Sequence, residues 1–297
     1  EGNDQGSGTL PQPAPDGKDG PFATLDRARD AVRQLRAGQV LTRPVTVMLR
    51  GGVYRREQPL VLGPDDSGTP ESPVIYQSYP GEKAVISGGR PITGWKPGPQ
   101  GVWTAELPEV KSGVWTFRQL FVNDQRRSRP RWPKQGTLTA AGAPRIDTSG
   151  WVGNLPADGD QWSKRTIQFR PGDLRPDWTN RDDVEVVLLQ FWMEARLRIQ
   201  RIDADKNVAL FTGGSWRPLT WSWGYYADNV FEAFDAPGTW YLDRKQGLLS
   251  YRPAAGEEVG ELQIVAPLAE QLVRIEGDPG AGRPVRHVIL RGLSFAH

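Results

Sequence analysis

The chain has 297 residues, among them 34 Gly, 26 Pro and 12 Trp, with 37% hydrophobic residues and a formal net charge of only +2. Interspersed charges of both signs argue against a general nucleic-acid surface, and no apolar run is long enough to span a membrane. Cysteine is absent and only two histidines are present, His287 and His297, so disulfides, thiol chemistry, a His/Cys zinc site and a Ser-His-Asp triad are disfavoured. Any catalysis would fall to carboxylates.

The first twenty residues, rich in Gly, Pro and polar side chains, read as a flexible leader of the kind left after signal-peptide removal, which fits a secreted or periplasmic protein without requiring one. The absence of an Asn-x-Ser/Thr sequon fits a bacterial source. Phe22 to Gly38 predicts a helix: Leu25, Ala28, Val32 and Leu35 share one face, Thr24 can cap the start and Gly38 can end it. Asp26 and Asp30 lie towards its positive end, Arg33 and Arg36 towards its negative end. Short β-branched runs follow at Val45–Leu49, Leu60–Leu62, Val74–Tyr76 and Val85–Ile86, separated by Gly51-Gly52, Asp66-Ser67-Gly68 and Gly88-Gly89. With no helical period between them, such runs predict strands joined by tight corners, in a β-solenoid or a β-sandwich meander.

Several pieces of this region stand in a specific order: Pro21-Phe22-Ala23-Thr24-Leu25, Gly51-Gly52-Val53-Tyr54, Asp65-Asp66-Ser67-Gly68-Thr69, Tyr79-Pro80-Gly81-Glu82, and Ile86-Ser87-Gly88-Gly89 ending near Gly94-Trp95. In that order the chain resembles the parallel β-helix enzymes of glycoside hydrolase family 141, from about residue 22 to its end. The resemblance implies an all-β protein, a right-handed parallel β-helix with a capping helix, interrupted by an inserted antiparallel β-sandwich-like domain. The implied division is 1–20 leader, 21–117 β-helix portion, 118–267 insertion and 268–297 return to the β-helix. It also implies a glycoside hydrolase of plant cell-wall polysaccharide, of α-L-fucosidase or xylanase type, whose catalytic aspartates lie on coils beyond His297. Thr239 departs from the family pattern, where Glu is usual.

Within the expected insertion, Arg118–Val122 predicts a strand, Asn123-Asp124 a turn and Arg126–Pro133 the outgoing arm. Arg126, Arg127, Arg129 and Arg131 form a cationic cluster that either holds uronate groups or is a salt-bridged hairpin face; the second reading is the favoured one. Residues 136–172 are turn-rich and carry no clear element. Val184–Trp192, Arg196–Ile202 and Val208–Phe211 predict sandwich strands, with 203–207 a turn between the last two, and Thr239–Asp243 and Leu248–Tyr251 predict a further hairpin. Val285–His297 carries alternating strand positions at Val288, Leu290, Leu293 and Phe295 around Arg291-Gly292, as a new coil begins. An uncapped coil predicts that further coils of the same protein follow.

Glycoside hydrolysis needs two carboxylates facing each other across the sugar. Glu194, Asp228, Glu232, Asp235 and Asp243 are available, but no spacing among them demands catalysis, so no catalytic residue is assigned. Asp65-Asp66 and Asp182-Asp183 are too isolated to build a calcium site, so no metal or cofactor is expected. Sugar binding has a clearer signal in Trp216, Trp221, Trp223, Tyr225 and Tyr226, crowded into one polar, Gly-bounded stretch, with Trp192 and Glu194 as a second candidate pair. Indole and phenol rings stack on the C–H faces of sugars while polar neighbours take the hydroxyls. The same rings equally suit a domain core. A polysaccharide lyase or epimerase, or a non-catalytic carbohydrate-binding β-helix module, stays open alongside the hydrolase reading.

Overall fold

The computed structural model describes residues 2–38, 40–142 and 163–297, and is built mostly of strands with few helices. The part of the turn-rich region at 143–162 lies outside the described residues. Two compact units are present, one comprising Glu1–Pro91 and Val265–His297, the other Ile92–Ile264.

In the first unit the predicted helix spans Leu25–Gly38 (α1), and the Thr24 hydroxyl accepts the Arg27 backbone N–H at 3.1 Å, the expected cap. Leu25, Ala28 and Val32 are buried, but Leu35 is exposed, so the apolar face ends one turn earlier than its sequence spacing predicts. Arg33 reaches Asp66 with a bidentate pair at 2.7 and 2.6 Å, fastening the helix to the Pro64–Asp66 turn. The leader is tied down at several points: Asn3 N–H donates to Pro21 O, Gly8 N–H to Gly20 O, and the Asp4 carboxylate accepts from the Ala23 and Thr24 N–H groups and the Thr24 hydroxyl.

The strands of this unit pair in parallel. Val45–Leu49 and Val288–Arg291 flank Val74–Ser78, Gly52–Arg55 and Ser294–Ala296 flank Ala84–Ser87, and Val273–Ile275 pairs with Leu60–Leu62. The C-terminal strands therefore share ladders with the N-terminal ones. Period-two alternation follows from the pleat: Leu49, Leu60, Leu62, Tyr76 and Ile86 point into one core with Leu25 and Val32, while Thr46 and Met48 point out.

The second unit is antiparallel. Its main sheet is formed by Arg131–Trp132 (β1), Thr166–Gln168 (β2), Glu185–Gln190 (β3), Met193–Asp203 (β4), Val208–Phe211 (β5) and Gly224–Asp228 (β6), in the order β1-β6-β3-β4-β5-β2. Val186, Leu188, Ala195, Leu197, Tyr225 and Ala227 line its apolar face and pack with Phe169, Trp178 and Leu219. The alternate residues Glu185, Arg196, Arg198, Tyr226 and Asp228 occupy the other face. Residues 92–117 belong to this unit, ahead of the division at 118 read from the sequence, because Trp103–Glu106 pairs antiparallel with Leu248–Tyr251. Asn123 and Asp124 take positive φ (48° and 61°) in the two-residue turn between Leu120–Val122 and Gln125–Arg127. This is the backbone that tight hairpins favour and that Asn and Asp tolerate.

Candidate functional site

The six-stranded sheet ends in a surface of exposed rings. Gln190 pairs with Met193, so Phe191 and Trp192 are the two turn residues of the β3–β4 hairpin, with Phe191 held at φ 36°. The sequence predicts that the strand runs on to Trp192. The hairpin reverses there instead, and Trp192 is 77% exposed. Trp223 enters β6 beside it, its backbone N–H donating to Leu189 O at 2.8 Å, and is 75% exposed. Phe191 lies between the two indoles, 5.7 Å from Trp192 and edge-on to Trp223 at 6.0 Å.

The loop carrying Trp216 and Trp221 is anchored to the same hairpin by Gln190. Buried at the end of β3, its amide donates to Pro218 O at 2.9 Å and accepts the Ser215 hydroxyl at 2.7 Å. Both polar ends of the side chain have a partner, so hydrogen bonds offset the cost of burying the amide. Arg217 lies over Trp216 at 4.2 Å and near Trp221 at 5.7 Å, and both indoles are exposed. Trp221 and Trp223, two residues apart, do not lie on one strand. Trp221 ends a short 3-10 turn (Leu219–Trp221), and Trp223 precedes the first residue of β6.

The remaining candidates separate. Tyr225 is fully buried on the apolar face, its hydroxyl bonded to Asp173 at 2.9 Å, so it belongs to the core and not to the aromatic surface. Burial, reinforced by the Asp173 carboxylate, pushes that hydroxyl's pKa up. Tyr226, on the opposite face, is half-buried beneath the Arg131 guanidinium at 3.9 Å. Glu194 sits one residue into β4 from the hairpin turn, about half exposed, and accepts from Arg196 at 2.6 Å.

The other carboxylates available for catalysis all have structural partners. Asp228 is held by Arg129 and Arg196, at 3.4 and 3.3 Å; Glu232 accepts the Thr179 N–H; Asp235 pairs with Lys134; and Asp243 accepts from Asn180 and from the Gln246 N–H. The cationic cluster at 126–131 is likewise dispersed. Arg127 binds Glu257, Arg129 binds Glu185 and Asp228, and Arg131 turns to backbone carbonyls and Tyr226.

A second feature has no counterpart in the sequence pattern. Arg118, Arg129, Arg198 and Arg244 converge on Asp183 and Glu185 around a small pocket of about 10 Å³. Glu185 is almost fully buried and accepts from Arg118 at 2.8 and 3.0 Å and from Arg129 at 2.9 Å. Burial alone would raise its pKa, but these guanidinium groups outweigh that and hold the carboxyl at about 2, well below its ordinary 4.5. The contributing residues are scattered from 118 to 244, so no local motif signals them. Among the described residues, no group of three or more His, Cys, Asp or Glu is placed to hold a metal ion, and no helix is long and apolar enough to cross a membrane.

No family model matches the chain, and no curated protein matches it. Among solved structures, one titled "Glycoside hydrolase" superimposes with a TM-score of 0.78 at 25% identity, covering 100% of this chain and 49% of that chain. The chain thus spans about half the length of that hydrolase. A second, titled "The complex structure of XylC with xylose", reaches a TM-score of only 0.35 at 15% identity, covering 90% of this chain and 30% of that one.

Proposed function

We propose that this chain is the saccharide-recognising part of a carbohydrate-active enzyme, a secreted glycoside hydrolase of plant cell-wall polysaccharide. The observation that carries the reading is the run of exposed rings on the tethered hairpin and loop, Phe191, Trp192, Trp216, Trp221 and Trp223. Exposed aromatic surface of this extent marks a partner site, and a pyranose face suits indole rings flanked by Glu194, Arg196 and Arg217. Likeness to a solved glycoside hydrolase supports the enzyme class. The parallel ladders of the first unit are, on this reading, coils of a right-handed β-helix, and the unit of Ile92–Ile264 is an insertion between them. Glu194, Asp228, Glu232, Asp235 and Asp243 are each engaged by a structural partner, so the catalytic pair is assigned to coils of the same protein outside this chain.

A purely binding role for the whole protein is the second reading, favoured by the same engagement of the carboxylates. Oligosaccharide binding by the 297-residue chain, measured by calorimetry, tests the recognition surface. Each stack contributes roughly 0.5–1.5 kcal/mol, so Trp192→Ala and Trp223→Ala should each weaken binding about two- to tenfold. Thermal stability should stay unchanged. Unaltered affinity in both variants would refute the assignment.

A further inference from the structure

The charged pocket has unspent donors. Four guanidinium groups, from Arg118, Arg129, Arg198 and Arg244, line it against the carboxylates of Asp183 and Glu185. Asp228, 3.4 Å from Arg129, still leaves cations in excess. Arg118 is engaged bidentately by Glu185, and Arg244 gives its backbone N–H and its guanidinium to Asp183 at 2.8 and 2.6 Å. Arg198 differs. It stands 3.8 Å from Glu185, beyond hydrogen-bond distance, and among the described residues its guanidinium has no hydrogen-bonded partner. Burial and the neighbouring charge of Arg244 lower its pKa, as expected for a cation held among cations.

Such a group gains most from an anion. A guanidinium fork matches the two oxygens of a carboxylate, and the bond is charge-assisted. The pocket is too small for a sugar ring but admits one oxygen-sized atom, and the side chains of Arg118, Arg198 and Arg244 remain partly exposed at its edge. The fitting ligand is therefore an oxyanion arm on a ring that stays outside. Arg198 lies on the same face of β4 as Glu194, five residues from Met193 and so roughly 17 Å along the strand at about 3.4 Å per residue. One extended oligosaccharide can reach from the rings towards the pocket.

We infer that the pocket around Arg198 is a subsite for the carboxylate of a uronic acid residue, and that the saccharide recognised is acidic. This rests on the proposed recognition of saccharide by the aromatic surface and names its substrate class.

The test uses the 297-residue chain and three probes: an oligosaccharide bearing one glucuronic acid, its neutral counterpart of equal length, and free sulfate. At low ionic strength the acidic oligosaccharide should bind roughly tenfold or more tightly than the neutral one. Arg198→Gln removes the charge without breaking a hydrogen bond of the fold. It should abolish that preference while leaving affinity for the neutral probe and the Tm unchanged. Equal binding of the two oligosaccharides by the unaltered chain, or a preference that survives Arg198→Gln, would overturn the inference. So would an Arg198-dependent affinity for sulfate with no discrimination between the oligosaccharides, which would make the pocket a free-anion site. Neutral binding that depends on Trp223 would persist in each of these cases, so the failure of this inference is distinct from failure of the aromatic surface.

Discussion

Replacing Glu185 by Gln keeps the shape of a buried side chain while removing the charge that neutralises Arg118 and Arg129. Arg129 is itself only 8% exposed, so in the variant a guanidinium is left without its principal counter-charge in a place where water cannot compensate. The magnitude follows from the titration of Glu185. A pKa held at about 2 in the folded chain, against an ordinary 4.5, corresponds to about 3 kcal/mol of folding stability at neutral pH. Because the folded-state value is depressed, this contribution is fully present above pH 4.5 and is lost as the pH falls towards 2. Glu185→Gln should therefore cost about 3 kcal/mol at pH 7, a Tm loss of roughly 6–12 °C for a unit of this size. The difference from the unaltered chain should shrink steadily below about pH 4.5. Urea denaturation of both proteins across roughly pH 2.5 to 7 measures it. A penalty under about 1 kcal/mol at pH 7, or one that does not change with pH, would refute the argument that the Arg pair holds Glu185 down.

Two further substitutions separate folding from recognition at the aromatic end. Phe191→Gly removes a bulky residue from φ 36° and one ring of the exposed surface, so stability should hold or rise by about 0.5–1 kcal/mol while oligosaccharide affinity falls. Thermal melts and calorimetry on one preparation check both halves, and loss of stability would count against strain at that turn. Tyr225→Phe deletes the hydrogen bond to Asp173 in the core, with an expected cost of about 1 kcal/mol and no change in oligosaccharide binding. Weakened binding in this variant would return Tyr225 to the recognition surface.

Local physics carried much of the fold into the sequence. The Thr24 cap and the spacing of Leu25, Ala28 and Val32 mark α1 in the sequence, since both signals are written within a few residues. The β-branched runs and Gly-rich corners of 45–89 mark their strands for the same reason, and the Asn123-Asp124 turn follows from tolerance of positive φ. Aromatic crowding at 216–226 is visible as composition. Which ring faces solvent is not, because it depends on where β6 begins and on which side of the pleat each residue falls. Tyr225 and Tyr226 are adjacent yet point to opposite faces of the sheet, one into the core and one beneath Arg131.

Only tertiary structure turned Phe191 and Trp192 from apparent strand residues into a hairpin tip beside Trp223, since pairing register decides where a chain reverses. The Arg198 pocket draws on segments from 118 to 244, and its burial and charge exist only once those segments are brought together. Electrostatics of that kind depends on distance in space, which falls off no faster for residues remote in sequence than for neighbours.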